Sequence, residues 1–103
     1  MEQYFEQIQS DMEVAYAGVA GGNMMRSPAL TYKSKVFAFF HKNEMGFKLD
    51  QKAALVMEQY PGSRYLSPFK NKPPMKGWLI IPAGYHSDWG NLAVEAYKNM
   101  VLK

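Results

Sequence analysis

The sequence contains no cysteine, which excludes a disulfide framework, a thiolate metal site and a cysteine nucleophile, and fits a reducing compartment. No apolar run approaches the roughly 20 residues that a membrane-spanning helix needs, so no membrane partner is expected. Lysine and arginine are missing from residues 1–25. The opening M-E-Q-Y-F-E-Q is acidic and amphipathic rather than basic and apolar, which does not read as a secretory signal, and a cytoplasmic location is expected. Histidine is scarce: His41 and His86 are far apart, with no helical His/Glu spacing to align them, so no metal centre is expected. Glycine is present but not in a nucleotide-binding pattern. Gly18, Gly21 and Gly22 follow a helical stretch rather than a strand, and no Gly-Lys-Ser/Thr occurs, so no cofactor is expected.

What is present bounds the fold. The chain has 103 residues, 48% of them apolar, enough for a single domain over residues 1–103 with its own core. The net charge of +3 is unevenly spread. Glu2, Glu6, Asp11 and Glu13 stand alone in residues 1–25, whereas residues 26–76 hold ten bases against Glu44, Asp50 and Glu58. Such asymmetry can mark a nucleic-acid surface or complementary faces in self-association. Here the bases are spread over several elements rather than along one helix, which favours ordinary solvated faces.

The strongest local pattern is T-Y-K-S-K-V-F-A-F-F-H-K-N-E-M-G-F-K-L-D, residues 31–50, which predicts a β-hairpin with its tip at His41-Lys42-Asn43-Glu44. Strict alternation puts Val36, Ala38 and Phe40 on one face and Phe37, Phe39 and His41 on the other. The return arm alternates Met45, Phe47 and Leu49 with Glu44, Gly46 and Lys48, so it has one wet face. The outgoing arm is apolar on both, as a central strand requires.

Before the hairpin, Phe5, Ile8, Met12, Ala15 and Val19 predict one face of a helix over residues 2–18, stopped by Gly18, Gly21 and Gly22. A short extended piece, residues 23–27, precedes Pro28. Residues 29–32 then lead through a Lys33-Ser34 turn into the central strand, a meander of three strands. After it, Asp50 is placed as N-cap of a helix over residues 51–59, with Ala54, Leu55 and Met57 or Glu58 on its inner edge. Four prolines between Pro61 and Pro74 exclude helix there, leaving a short edge strand near residues 64–66 and an ordered loop. Residues 77–81, G-W-L-I-I, read as a strand. Ser87 or Asp88 then caps a last helix with Trp89, Leu92, Ala93, Ala96 and Met100 as its buried stripe. The order αβββαββα predicts an α+β, two-layer domain: a five-stranded antiparallel sheet with helices mainly on one face.

Lys33, Lys35 to Phe40, Gly46 to Leu49, the run P-M-K-G-W-L-I-I-P from Pro74 to Pro82, and Trp89 together resemble the N-terminal domain of TfoX/Sxy competence regulators. The resemblance covers about residues 16–102, and the chain departs from it at Met24-Met25-Arg26-Ser27-Pro28, where that family has Met-Phe-Gly-Gly. It implies a fold similar to YjbR-like proteins and secretion chaperones, with a five-stranded antiparallel sheet backed by helices. It also implies a regulatory or protein-interaction role, with no catalytic residues to carry over.

The residues themselves name no catalytic site. His41 reads as a solvated turn residue. His86-Ser87-Asp88 holds the residue types of a hydrolase triad, but sequence neighbours do not generally reach triad geometry, and capping explains Ser87 and Asp88 better. An enzyme would need an unrecognised pocket, near His86 or Tyr85. The candidate binding loop is Arg64, Tyr65, Phe69, Lys70, Lys72 and Lys76, cations for phosphates with rings for stacking bases. Its alternative reading is a lid in which Tyr65, Phe69, Met75 and Trp78 pack down on the sheet while the lysines face water. The favoured partner is a protein, including a second copy, because a two-faced apolar strand and eight methionines suit an adaptable surface; nucleic acid is the alternative.

Overall fold

The computed structural model describes residues 1–67 and 71–102. Helix α1 (Glu2–Ala15) leads into strands β1 (Val19–Met24), β2 (Ser27–Tyr32), β3 (Lys35–His41) and β4 (Glu44–Lys48). A 3-10 turn (Asp50–Lys52) opens helix α2 (Ala53–Gln59), and strands β5 (Arg64–Leu66) and β6 (Met75–Ile81) follow. A second 3-10 segment (Ala83–Asp88) then runs into helix α3 (Trp89–Val101). The fold is α+β, and all strands join one antiparallel sheet in the order β1-β2-β3-β4-β6-β5.

The sheet has six strands, one more than the sequence predicts, and the extra strand is β1. Gly18 ends the helical region with φ +91°, but Gly21 and Gly22 belong to β1 rather than to a helix stop. Gly21 is tolerated there because α1 crosses close above it, and any side chain at that position would meet the amide of Gln9. Val19, expected on the helix, is buried in the strand instead. Three two-residue turns join β1 to β4. Their central residues all have positive φ: Met25 47° and Arg26 71°, Lys33 48° and Ser34 72°, Lys42 49° and Asn43 62°. Paired positive φ is the signature of the type I′ turn, whose twist matches that of the flanking strands.

The alternation expected along β3 is interrupted. Leu30 pairs with Ala38 but Thr31 pairs with Val36, so Phe37 is the extra residue of a β-bulge, and a bulge re-aims a side chain. Phe37, Ala38 and Phe40 accordingly share the cluster into which the helices bury Phe5, Met12, Ala53, Trp89, Leu92, Ala93 and Ala96. Val36 and Phe39 pack instead in a second cluster, with Ala29, Trp78 and Ile80, which contains strand residues alone.

Two capping expectations fail. Asp50 lies in left-handed geometry, φ 51°, and its Oδ2 accepts a 2.7 Å bond from the Asn99 amide of α3, tying the end of the meander to the last helix instead of capping α2. The inner edge of α2 is Ala53, with Val56 and Met57 partly buried, while Leu55 is 65% exposed. Asp88 occupies the N-cap position of α3 without a side-chain cap bond. The stripe expected on α3 matches: Trp89, Leu92, Ala93 and Ala96 are buried and Met100 packs partly against them.

Candidate functional site

Pairing parity places a polar row at one end of the face opposite the helices. Ser27 opens β2, His41 closes β3 and faces Glu44 at the start of β4, and Arg64 opens β5 opposite Ile80. Below that row the floor is apolar: Ala29, Phe39, Trp78 and Ile80 are buried, with Met24, Val36 and Leu66 packed against them. Phe39 lies opposite Gly46, and any side chain at Gly46 would collide with its ring. Glycine is therefore needed where the ring lies across the neighbouring strand. The ring reaches Trp78 with centroids 5.6 Å apart.

The polar row forms two hydrogen-bonded pairs. Ser27 Oγ and His41 Nδ1 are 2.9 Å apart, the hydroxyl donating when Nδ1 is unprotonated and accepting when it carries the proton. Both Arg64 terminal nitrogens donate to Glu44, at 2.8 Å to Oε2 and 2.7 Å to Oε1. That bidentate bond, opposed by partial burial and aided by the Arg64 and His41 charges, holds the Glu44 carboxyl below its usual range. The same bond raises Arg64. Two cavities flank the row, one of about 180 Å³ beside Glu44 and Arg64 and one of about 460 Å³ beside Ser27, Met24 and Lys42. They share Phe39, His41, Leu66 and Ser67.

The expected binding loop is only partly gathered. Arg64 and Tyr65 are neighbours on β5, but alternation turns Tyr65 toward the helix-side cluster while Arg64 reaches Glu44. Phe69 and Lys70 lie outside the described residues. Lys72 and Lys76 are exposed and line neither cavity. Lys76 lies four positions along β6 from Ile80, the partner of Arg64, or about 13 Å of extended strand. The histidines both sit at clefts. His86 donates from Nδ1 to the Ala83 carbonyl at 3.1 Å and packs tilted against Tyr4, ring centroids 4.4 Å apart, beside a shallow cleft between α1 and the 3-10 segment. Its neighbour Asp88 bonds instead with Tyr60, whose hydroxyl is pushed up first by burial and then by that carboxylate. The Ser27 and His41 pairing escapes sequence reading, because the two lie 14 positions apart and only strand register brings them together. No group of three His, Cys, Asp or Glu residues that could hold a metal occurs among the described residues, and no helix among them is long and apolar enough to cross a membrane.

The two sheet edges contrast. β5 is short, carries Arg64, and has a register shift between Tyr65 and Leu66, devices that discourage further pairing. β1 has six residues, V-A-G-G-N-M, in unbroken register with β2 and without charge or proline. Met24 and Ser27 close the first turn, so Met24, Gly22 and Ala20 exchange bonds with β2, while the backbone groups of Val19, Gly21 and Asn23 point outward. The Val19 N–H is taken by the Tyr16 carbonyl at 3.3 Å. Among the described residues, Gly21 and Asn23 have no backbone partner on that side.

Comparison with protein-family models, curated proteins and solved structures returns no match to the chain.

Proposed function

We propose that the chain is a non-enzymatic regulatory domain of the cytoplasm that works by binding protein, and that its first partner is a second copy of itself, joined antiparallel through β1. The observation that carries this reading is the unprotected β1 edge beside a β5 edge guarded by charge, shortness and a bulge. A two-fold axis near Gly21 sets Val19 of one copy against Asn23 of the other, and an antiparallel edge offers donors and acceptors complementary to its own. No charged side chain on β1 opposes that approach. In a two-layer arrangement with helices mainly on one face, the sheet can extend sideways from β1. This is also the kind of role that the resemblance to the TfoX N-terminal domain implies. A nucleic-acid role has less behind it, since Arg64 spends both terminal nitrogens on Glu44.

Light scattering across a concentration series tests the proposal. The chain should be a dimer at high micromolar concentration, insensitive to salt and to added duplex or single-stranded DNA. Asn23→Pro removes an outward N–H without touching a bond to β2, and Ala20→Lys adds an edge charge; each should give a monomer with an unchanged circular dichroism spectrum. A monomeric native chain at the highest concentration, or a dimer indifferent to both substitutions, would overturn it.

A further inference from the structure

We infer that the open end of the sheet is a binding site for a small amphipathic carboxylate, its tail on the apolar floor and its head at the His41 and Lys42 end. This goes beyond the association proposed above and does not depend on it. The first support is volume. A cavity of about 460 Å³ falls within the range of small-molecule sites, and it adjoins a second, of about 180 Å³, along Phe39, His41, Leu66 and Ser67.

The second support is chemistry that changes from one side of the cavity to the other. Met24, Phe39 and Leu66 supply apolar contact, and Met25, 60% exposed at the cavity margin, brings a flexible thioether that adapts to varied tails. The charges beside the larger cavity are basic. Lys42 lines the cavity, Arg26 sits in the same turn as Met25, and among the described residues Glu44 is the one acid lining either space. Its two oxygens are already held by Arg64, so an entering anion meets Lys42 with little opposing charge.

The third support is a preset donor. Ser27 is 5% exposed and fixes the His41 ring through Nδ1. His41 Nε2 has no hydrogen-bond partner among the described residues, and when the hydroxyl donates to Nδ1, Nε2 carries the proton and can donate to a carboxylate. An uncharged polar head would satisfy that donor but gain nothing from Lys42, so the site selects acid over alcohol.

The test uses the full chain with 3-phenylpropionate and octanoate as probes and 3-phenylpropan-1-ol as the uncharged comparison, by calorimetry and amide shift mapping. Both acids should bind, with shifts at Ser27, His41, Lys42 and Leu66, and the alcohol about tenfold more weakly. Lys42→Gln should weaken the acids several-fold and leave the alcohol unchanged, whereas His41→Gln, which removes the donor that both heads use, should weaken acids and alcohol alike. Lys33→Gln, in the turn at the opposite end of the sheet, should change nothing. Leu66→Trp should block acids and alcohol alike. Acid and alcohol binding equally, neither binding at millimolar concentration, shifts mapping to the cleft between α1 and the 3-10 segment at His86, or Lys33→Gln matching Lys42→Gln would each overturn the inference.

Discussion

At the scale of single residues, the open face depends on one coincidence of large and small. Phe39 can lie across β4 only because Gly46 offers no Cβ, and the sequence shows both residues without showing that they meet. Gly46→Ala should cost about 1–3 kcal/mol, from displacing a buried ring. In a Phe39→Ala background the same change should cost far less, and a double-mutant cycle by urea denaturation reads the difference. The Glu44 and Arg64 pair carries a pH signature of known sign. Because the folded carboxyl titrates below its unfolded range, its contribution is present at and above the ordinary carboxylate pKa. It is lost as pH falls through the depressed folded value. Arg64 is 58% exposed at its side chain, so solvent screening holds the effect to under about 1 kcal/mol. Arg64→Gln should flatten stability against pH over that acid limb only, and an unchanged acid limb would remove the pair from the account.

At the scale of elements, the meander is built from turns whose residues fit them poorly. Type I′ geometry favours Asn-Gly, yet the chain uses Met25-Arg26, Lys33-Ser34 and Lys42-Asn43, and left-handed backbone costs a side chain with a Cβ on the order of 1 kcal/mol. The hydrophobic strands overrule their turns. That explains what could be read in advance: the hairpin of β3 and β4 announces itself through Phe and Val, whereas β1 hides behind glycines that resemble a helix stop and a turn without the expected pair. The bulge at Phe37 was equally illegible, since alternation continues through it in sequence and fails only in register. Replacing Lys33-Ser34 by Asn-Gly should stabilise the domain by about 1 kcal/mol, after the larger unfolded-state entropy of glycine is set against the relief. A raised urea midpoint with an unchanged slope is the expected reading, and a lowered midpoint would show that Lys33 or Ser34 makes an interaction worth more than the strain.

At the scale of the whole molecule, the core was legible because periodicity reports burial: the α3 stripe and the apolar β6 lie where their spacing predicts, and the Phe-rich strand is buried on both faces as expected, although the bulge exchanges the faces of Val36 and Phe37. The surfaces open to partners were not, because a free backbone edge and a serine facing a histidine across strands leave no compositional trace. The β1 edge links these scales, since the pairing proposed there would couple folding to association. Apparent stability should then rise with protein concentration, and tenfold dilution should lower Tm by a few degrees for a domain of this size. Asn23→Pro should abolish that dependence and melt near the dilute limit of the native chain, because its lost N–H served only the partner. If the variant instead melts lower by the same margin at every concentration, the proline has damaged the monomer and β1 is an edge that the fold leaves single.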